Sequence, residues 1–192
     1  MGDDLGARDH EVHEAARAVL AFWFDETSPG KWFAKDEVLD RAIAERFGAL
    51  RDDLLSSQAA GWTGDPDTLL AAVILLDQFS RNIYRGTGEA FAADSLALGL
   101  THRALARGWD EAIPETRRAF LYMPLMHAED REEQRLSVQC FTRLGHAENL
   151  DFARAHRRVI DRFGRFPSRN AAFGRASTEA EEAYLSQPGA GF

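Results

Sequence analysis

Four short segments of this 192-residue chain mix buried-type side chains with charged ones at spacings that could do chemistry. The first spans residues 75–86. Asp77, Arg81 and Arg85 fall at i, i+4 and i+8, so they share one face of an otherwise apolar helix. Asp77 and Arg81 are spaced to pair. In a functional reading, Arg81 or Arg85 projects into a cleft with Asp77 orienting it. In a structural reading, the pair anchors the helix end. The second segment, 120–130, carries Pro124 and then His127, Glu129 and Asp130. A proline there frees a backbone carbonyl, and a histidine titrates near neutral pH or ligates metal. The plainer alternatives are a satisfied core histidine, and acids that favour the next helix start through its dipole.

The third segment is a basic helix holding His156 and Arg157, with Arg154 and Arg158 expected on a solvated face. The fourth, 162–178, holds Gly164, Pro167, Gly174 and the arginines Arg165, Arg169 and Arg175. Gly164 and Pro167 are expected to stiffen this loop, and guanidinium forks suit bidentate contact with carboxylate or phosphate. The helix start at Ser177-Thr178 would add free N–H groups. Equally, these arginines could cap helix ends and bind acids of the same chain. The candidate proton-handling residues are therefore His127, His156, Glu129 and Asp77. The candidate ligand-binding residues are Arg81, Asn82, Arg165, Arg169 and Asn170. No spacing fits a metal site, no phosphate loop or dinucleotide fingerprint appears, and neither a metal nor a cofactor is expected.

These segments need helices to position them. Apolar residues recur at three or four over 11–24 and 36–60. Asp65-Pro66 is a helix-start signal, and the helix it opens should run to Tyr84 as the most buried of the set. Further helices are expected over 89–107, from Pro114 to a kink or end at Pro124, over 130–144 and over 149–163, with Gly145 and Gly164 as stops. Thr178 with Glu181 makes a capping box for a short last helix. No strand alternation is visible. The expectation is an all-α antiparallel bundle of about seven or eight helices in a single domain, residues 1–192, with flexible ends at 1–8 and 187–192.

Charge narrows the function classes. The net charge is −8, which argues against general nucleic-acid binding. Residues 1–151 carry 27 acids against 16 Lys and Arg, whereas 152–175 carry seven Arg against Asp161 alone. The acidic start does not read as a signal peptide, and no apolar run approaches the roughly 20 residues that span a bilayer. The lone Cys140 suits a reducing compartment and reads as a small buried side chain, so the cytoplasm is the expected location.

Together the segments resemble the bacterial domain-of-unknown-function 924 family. The motifs carrying the resemblance are Leu75-Leu76-Asp77-Gln78-Phe79 with Arg81-Asn82, Tyr122-Met123-Pro124 with His127 and Glu129-Asp130, and Arg162-Phe163-Gly164-Arg165-Phe166-Pro167 with Arg169-Asn170. Ser168 stands where the family usually has a histidine, and Ala128 where it often has a serine. The resemblance implies an all-α, tetratricopeptide-like fold and no established activity. Three function classes follow. One is a binder of, or enzyme acting on, a small anionic ligand in an Arg/His-lined cleft. Another is an interaction module gripping a peptide or protein partner, and the last is a helical subunit without a site. The first is favoured, because the unusual residues gather at helix ends and one loop. The sequence does not fix the oligomeric state.

Overall fold

A computed structural model describes the backbone of residues 2–191 and the side chains of 10–191. Among the described residues every regular element is helical. The helices are α1 (Gly2–Ala21), α2 (Glu37–Ser56), α3 (Pro66–Ile74), α4 (Ser80–Ile83), α5 (Asp94–Ala106), α6 (Trp109–Ala112), α7 (Glu115–His127), α8 (Arg131–Leu144), α9 (Ala147–Phe163) and α10 (Glu179–Leu185). The set is more finely divided than expected. Short pieces such as α4 and α6 interrupt it, and residues 89–107 split into a 3-10 turn, Gly88–Phe91, and α5. Helix α1 already begins at Gly2, within the stretch expected to be flexible; the rest of the expected flexible ends lies partly outside the described residues.

The starts follow the sequence signals. Asp36 accepts hydrogen bonds from the Val38 and Leu39 amides, and Asp65 accepts one from Thr68, each satisfying donors that a helix start leaves open. Thr178 and Glu181 form the reciprocal capping box. Gly145 and Gly164 close α8 and α9 at φ 80° and 71°, left-handed values that cost glycine little.

The helix opened at Asp65 is the centre of the molecule. Every residue from Thr68 to Ser80 is buried, and α3 packs against α1, α5 and α7. Between α3 and α4 the backbone widens into a π turn, Leu75–Phe79, which carries Asp77 and Gln78 into the core. Single π turns inside α-helices recur at functional sites because they redirect side chains.

Pro124 neither ends α7 nor exposes its neighbours: the helix continues to His127, and residues 119–126 are buried. The packing of α7 against α5 and α8 tolerates the missing N–H. Thr101 on α5 donates to the Leu121 carbonyl at 2.9 Å, in the turn that the proline loosens. The linker from α7 to α8 is only residues 128–130, so α8 folds back beside α7, and α9 likewise packs along α8. Trp23, Phe79, Phe120 and Tyr122 fill this core with edge-on aromatic contacts. No helix is long and apolar enough to cross a membrane among the described residues. Cys140 is fully buried.

Candidate functional site

The π turn, the end of α7, the middle of α9, the start of α5 and the 166–170 loop meet at one place. Asp77 is its anchor. One carboxylate oxygen, Oδ1, accepts from His127 Nδ1 at 2.8 Å and faces Arg81 Nη1 at 3.0 Å; the other accepts from Gln78. Burial works against its charge, but Arg81 and His127 outweigh burial and hold the carboxyl well below its usual range. Arg81 also donates to the Asp77 carbonyl at 2.8 Å and to Asp94 Oδ2 at 3.0 Å.

Because Asp77 occupies Nδ1 of His127, a neutral ring donates there and keeps its basic lone pair on Nε2. This is the orientation that a carboxylate behind an imidazole enforces. Burial lowers the His127 pKa; Asp77 opposes this, and Arg81 and Arg169 reinforce it. The His156 ring centre lies 6.0 Å from that of His127. His156 Nδ1 is 2.9 Å from the Phe152 carbonyl, which again fixes the tautomer. Burial, then the neighbouring His127, with Arg169 and Arg81 behind it, push the His156 pKa down to about 3.

Arg169 closes the cluster. Its guanidinium carbon lies 4.5 Å from the Phe91 ring centre and 4.6 Å from that of Phe166, a cation held between two aromatic faces. Phe91 is brought there by the Gly88–Phe91 turn. That turn packs so closely on the 170–174 loop that a side chain at Gly88 would sit 3.1 Å from the Ala172 carbonyl. Arg169 Nη1 reaches Asp94 Oδ2 at 3.3 Å, and its Nε is buried without a hydrogen-bond partner among the described residues. Burial and the like charge of Arg81 lower its pKa to about 10, so it remains a cation near neutral pH. Asp94 Oδ1 is likewise buried with no hydrogen-bond partner among the described residues.

Five expected residues, Asp77, Arg81, His127, His156 and Arg169, thus come together. The others go elsewhere. Asn82 donates to Asp40 at 2.8 Å, alongside Arg85, and faces α2. Arg165 forks onto Glu181 at 2.6 and 2.8 Å, and Asn170 donates to Ser177 and Glu181. These contacts tie the loop to α10. Its hydrogen bonds from Arg165 and the Thr178 amide hold Glu181 down to a pKa of about 2. Glu129 accepts the Phe166 amide at 2.8 Å and the Arg175 fork at 2.7 and 2.9 Å, so it fixes the loop rather than contacting His127. Sequence reasoning missed Asp94, Phe91 and Phe166.

The expected cleft is a nearly closed cluster. Asp77 is 1% exposed and Arg169 8%, whereas His127, Arg81 and Asp94 remain partly exposed at 16%, 20% and 22%. Two shallow surface recesses, about 340 and 360 Å³, lie around His102 and Glu133 and between α9 and α10; neither includes a residue of this cluster. Among the described residues no three His, Cys, Asp or Glu side chains gather as a metal-binding group. Chemically, the cluster offers a desolvated guanidinium with spare donors beside an imidazole held neutral and aimed by a carboxylate.

A family described as bacterial protein of unknown function, DUF924, matches residues 19–189. A solved structure of a protein of unknown function from Agrobacterium tumefaciens is 36% identical. The match covers 91% of this chain and 98% of that one, with a TM-score of 0.86. Comparison with curated proteins gives no match.

Proposed function

The chain belongs to the DUF924 family of bacterial proteins of unknown function, so its role must be argued from its own residues, and we propose that it binds a small anionic ligand at Arg169 and Arg81. In this reading His127, aimed by Asp77, stands ready to take a proton. The observation that carries it is Arg169. A buried guanidinium normally engages most of its five donors. This one makes a single 3.3 Å hydrogen bond among the described residues while two aromatic rings hold it still. A carboxylate or phosphate would complete its shell with short charge-assisted bonds. His156, buried behind His127, lines the same place.

Two other readings are weaker. A tetratricopeptide-like interaction module would spread its special residues along successive helices, whereas here they converge. A structural subunit would leave an under-bonded buried arginine unexplained. We place the protein in the cytoplasm, where its single buried cysteine stays reduced.

The test is thermal melting with millimolar phosphate or small carboxylates. Ligand that binds only the native state raises the melting temperature. Arg169→Ala should abolish that rise while the unliganded protein still folds, and Arg169→Lys should restore at most part of it. No shift with any anion, or a shift that survives in Arg169→Ala, would refute the proposal. Loss of the fold in Arg169→Ala together with an undiminished shift in Arg169→Lys would assign the arginine a purely structural role.

A further inference from the structure

Resting on that reading of Arg169 as an anion anchor, we propose that the ligand is a small zwitterion, a free amino acid or a molecule with the same head group, whose carboxylate meets Arg169 and whose ammonium meets Asp94. The first argument is the division of spare bonding capacity. Asp94 Oδ2 is used twice, by Arg81 at 3.0 Å and by Arg169 at 3.3 Å. Among the described residues Asp94 Oδ1 is buried with no hydrogen-bond partner, and so is Nε of Arg169. Buried polar groups of this kind carry a desolvation cost until something satisfies them. A spare acceptor and spare donors therefore sit on the two halves of one ion pair. Oδ1 is one carboxylate width from Oδ2, which itself touches Arg169. A single small head group spans that separation.

The second argument is charge. Asp77 and Asp94 stand against Arg81 and Arg169 in one chain of ion pairs, so the cluster balances. The two imidazoles add no charge near neutral pH. A simple anion entering this partly buried place would leave one negative charge uncompensated, so it should bind more weakly than a neutral ligand that makes the same contact with Arg169. A zwitterion adds a carboxylate for Arg169 and an ammonium for Asp94 and leaves the balance intact. A 2-hydroxy acid brings a donor for Oδ1 but still adds a net charge. A plain carboxylate brings neither the donor nor the balance.

Alanine, lactate and propionate separate these cases, because they share size and carboxylate and differ only in ammonium, hydroxyl or hydrogen. Their affinities for the full chain, measured by calorimetry and checked by melting temperature, should rank alanine first, lactate second and propionate third. Alanine should exceed propionate by about tenfold or more, the effect of one charge-assisted hydrogen bond. Asp94→Asn puts an amide N–H₂ where Oδ1 stood, since the two arginines retain the oxygen, and should erase the advantage of alanine while leaving propionate binding. Propionate binding as well as alanine in the wild type would overturn the zwitterion and leave the anion site standing. Equal affinities would also be the result if Oδ1 were satisfied by water alone. No binding of any of the three would overturn the zwitterion, and the anion site falls with it if phosphate also leaves the melt unchanged. If Asp94→Asn retains the alanine preference, Asp94 is not the ammonium partner. If that variant does not fold, the wild-type ranking decides.

Discussion

Neutral imidazoles buried beside guanidiniums make the acid–base state of the cluster part of the stability of the protein. In the unfolded chain His127 and His156 take up protons near pH 6.5. In the fold His156 is held down to about 3, and His127 also lies below its ordinary value. Between those limits the unfolded state binds more protons, so stability falls as pH is lowered from about 6.5 toward 3. Asp77 adds a second contribution, present above its ordinary pKa of 3.8 and lost as pH falls below it. The urea midpoint should therefore drop between about pH 7 and pH 5, and His156→Gln should flatten that drop. A midpoint unchanged over that interval would mean that neither imidazole is held neutral by burial. At this scale the sequence announced polar residues interrupting apolar runs, which is how Asp77, Arg81, His127, His156 and Arg169 were found. It did not announce partners. Asn82 pairs with Asp40 and Arg165 with Glu181, choices set by which acid the fold brings near. Asp94 was invisible because an acid in the first turn of a helix reads as a partner of the helix dipole.

Among the elements, the helix pair joined by the π turn carries both the core and the site. Leu75 and Leu76 are fully buried at its centre. Leu75→Ala or Leu76→Ala should each cost about 2–5 kcal/mol, as truncation of buried leucine does. Urea unfolding reads this directly, and unchanged midpoints for both would make the helix peripheral. Starts and stops were legible where a single residue supplies the chemistry: Asp65 as a cap, Thr178 with Glu181 as a box, Gly145 and Gly164 as stops. Ends set by packing were not. Helix α2 stops at Ser56 rather than near Gly61, with Gln58 and Ala59 turned to φ 53° and 56°, and Ala59 is 2% exposed. Burial of Ala59 holds a backbone conformation that its own residue type disfavours. The π turn at Leu75–Phe79 left no mark in the apolar periodicity, because its buried residues satisfy either helix geometry.

For the whole molecule, the all-α architecture was readable from periodicity and from the family resemblance, and the opposed charges of the two regions were readable from counts. The basic segment 152–175 is partly consumed internally, since Arg165, Arg169 and Arg175 bind Glu181, Asp94 and Glu129. With a net charge of −8 overall, little basic surface remains for phosphates. A mobility assay at physiological salt should show no submicromolar binding to duplex DNA; strong, salt-dependent retention would contradict this. The central claim is that one nearly closed cluster receives a small ligand through Arg169. The most direct measurement is a crystal structure grown with alanine at tens of millimolar, a concentration suited to weak small-ligand affinity. The predicted result is a carboxylate within hydrogen-bond distance of the Arg169 guanidinium, with the ammonium on Asp94 Oδ1. Alanine seated in the recess beside His102, or in the groove between α9 and α10, with Arg169 unchanged, would contradict it.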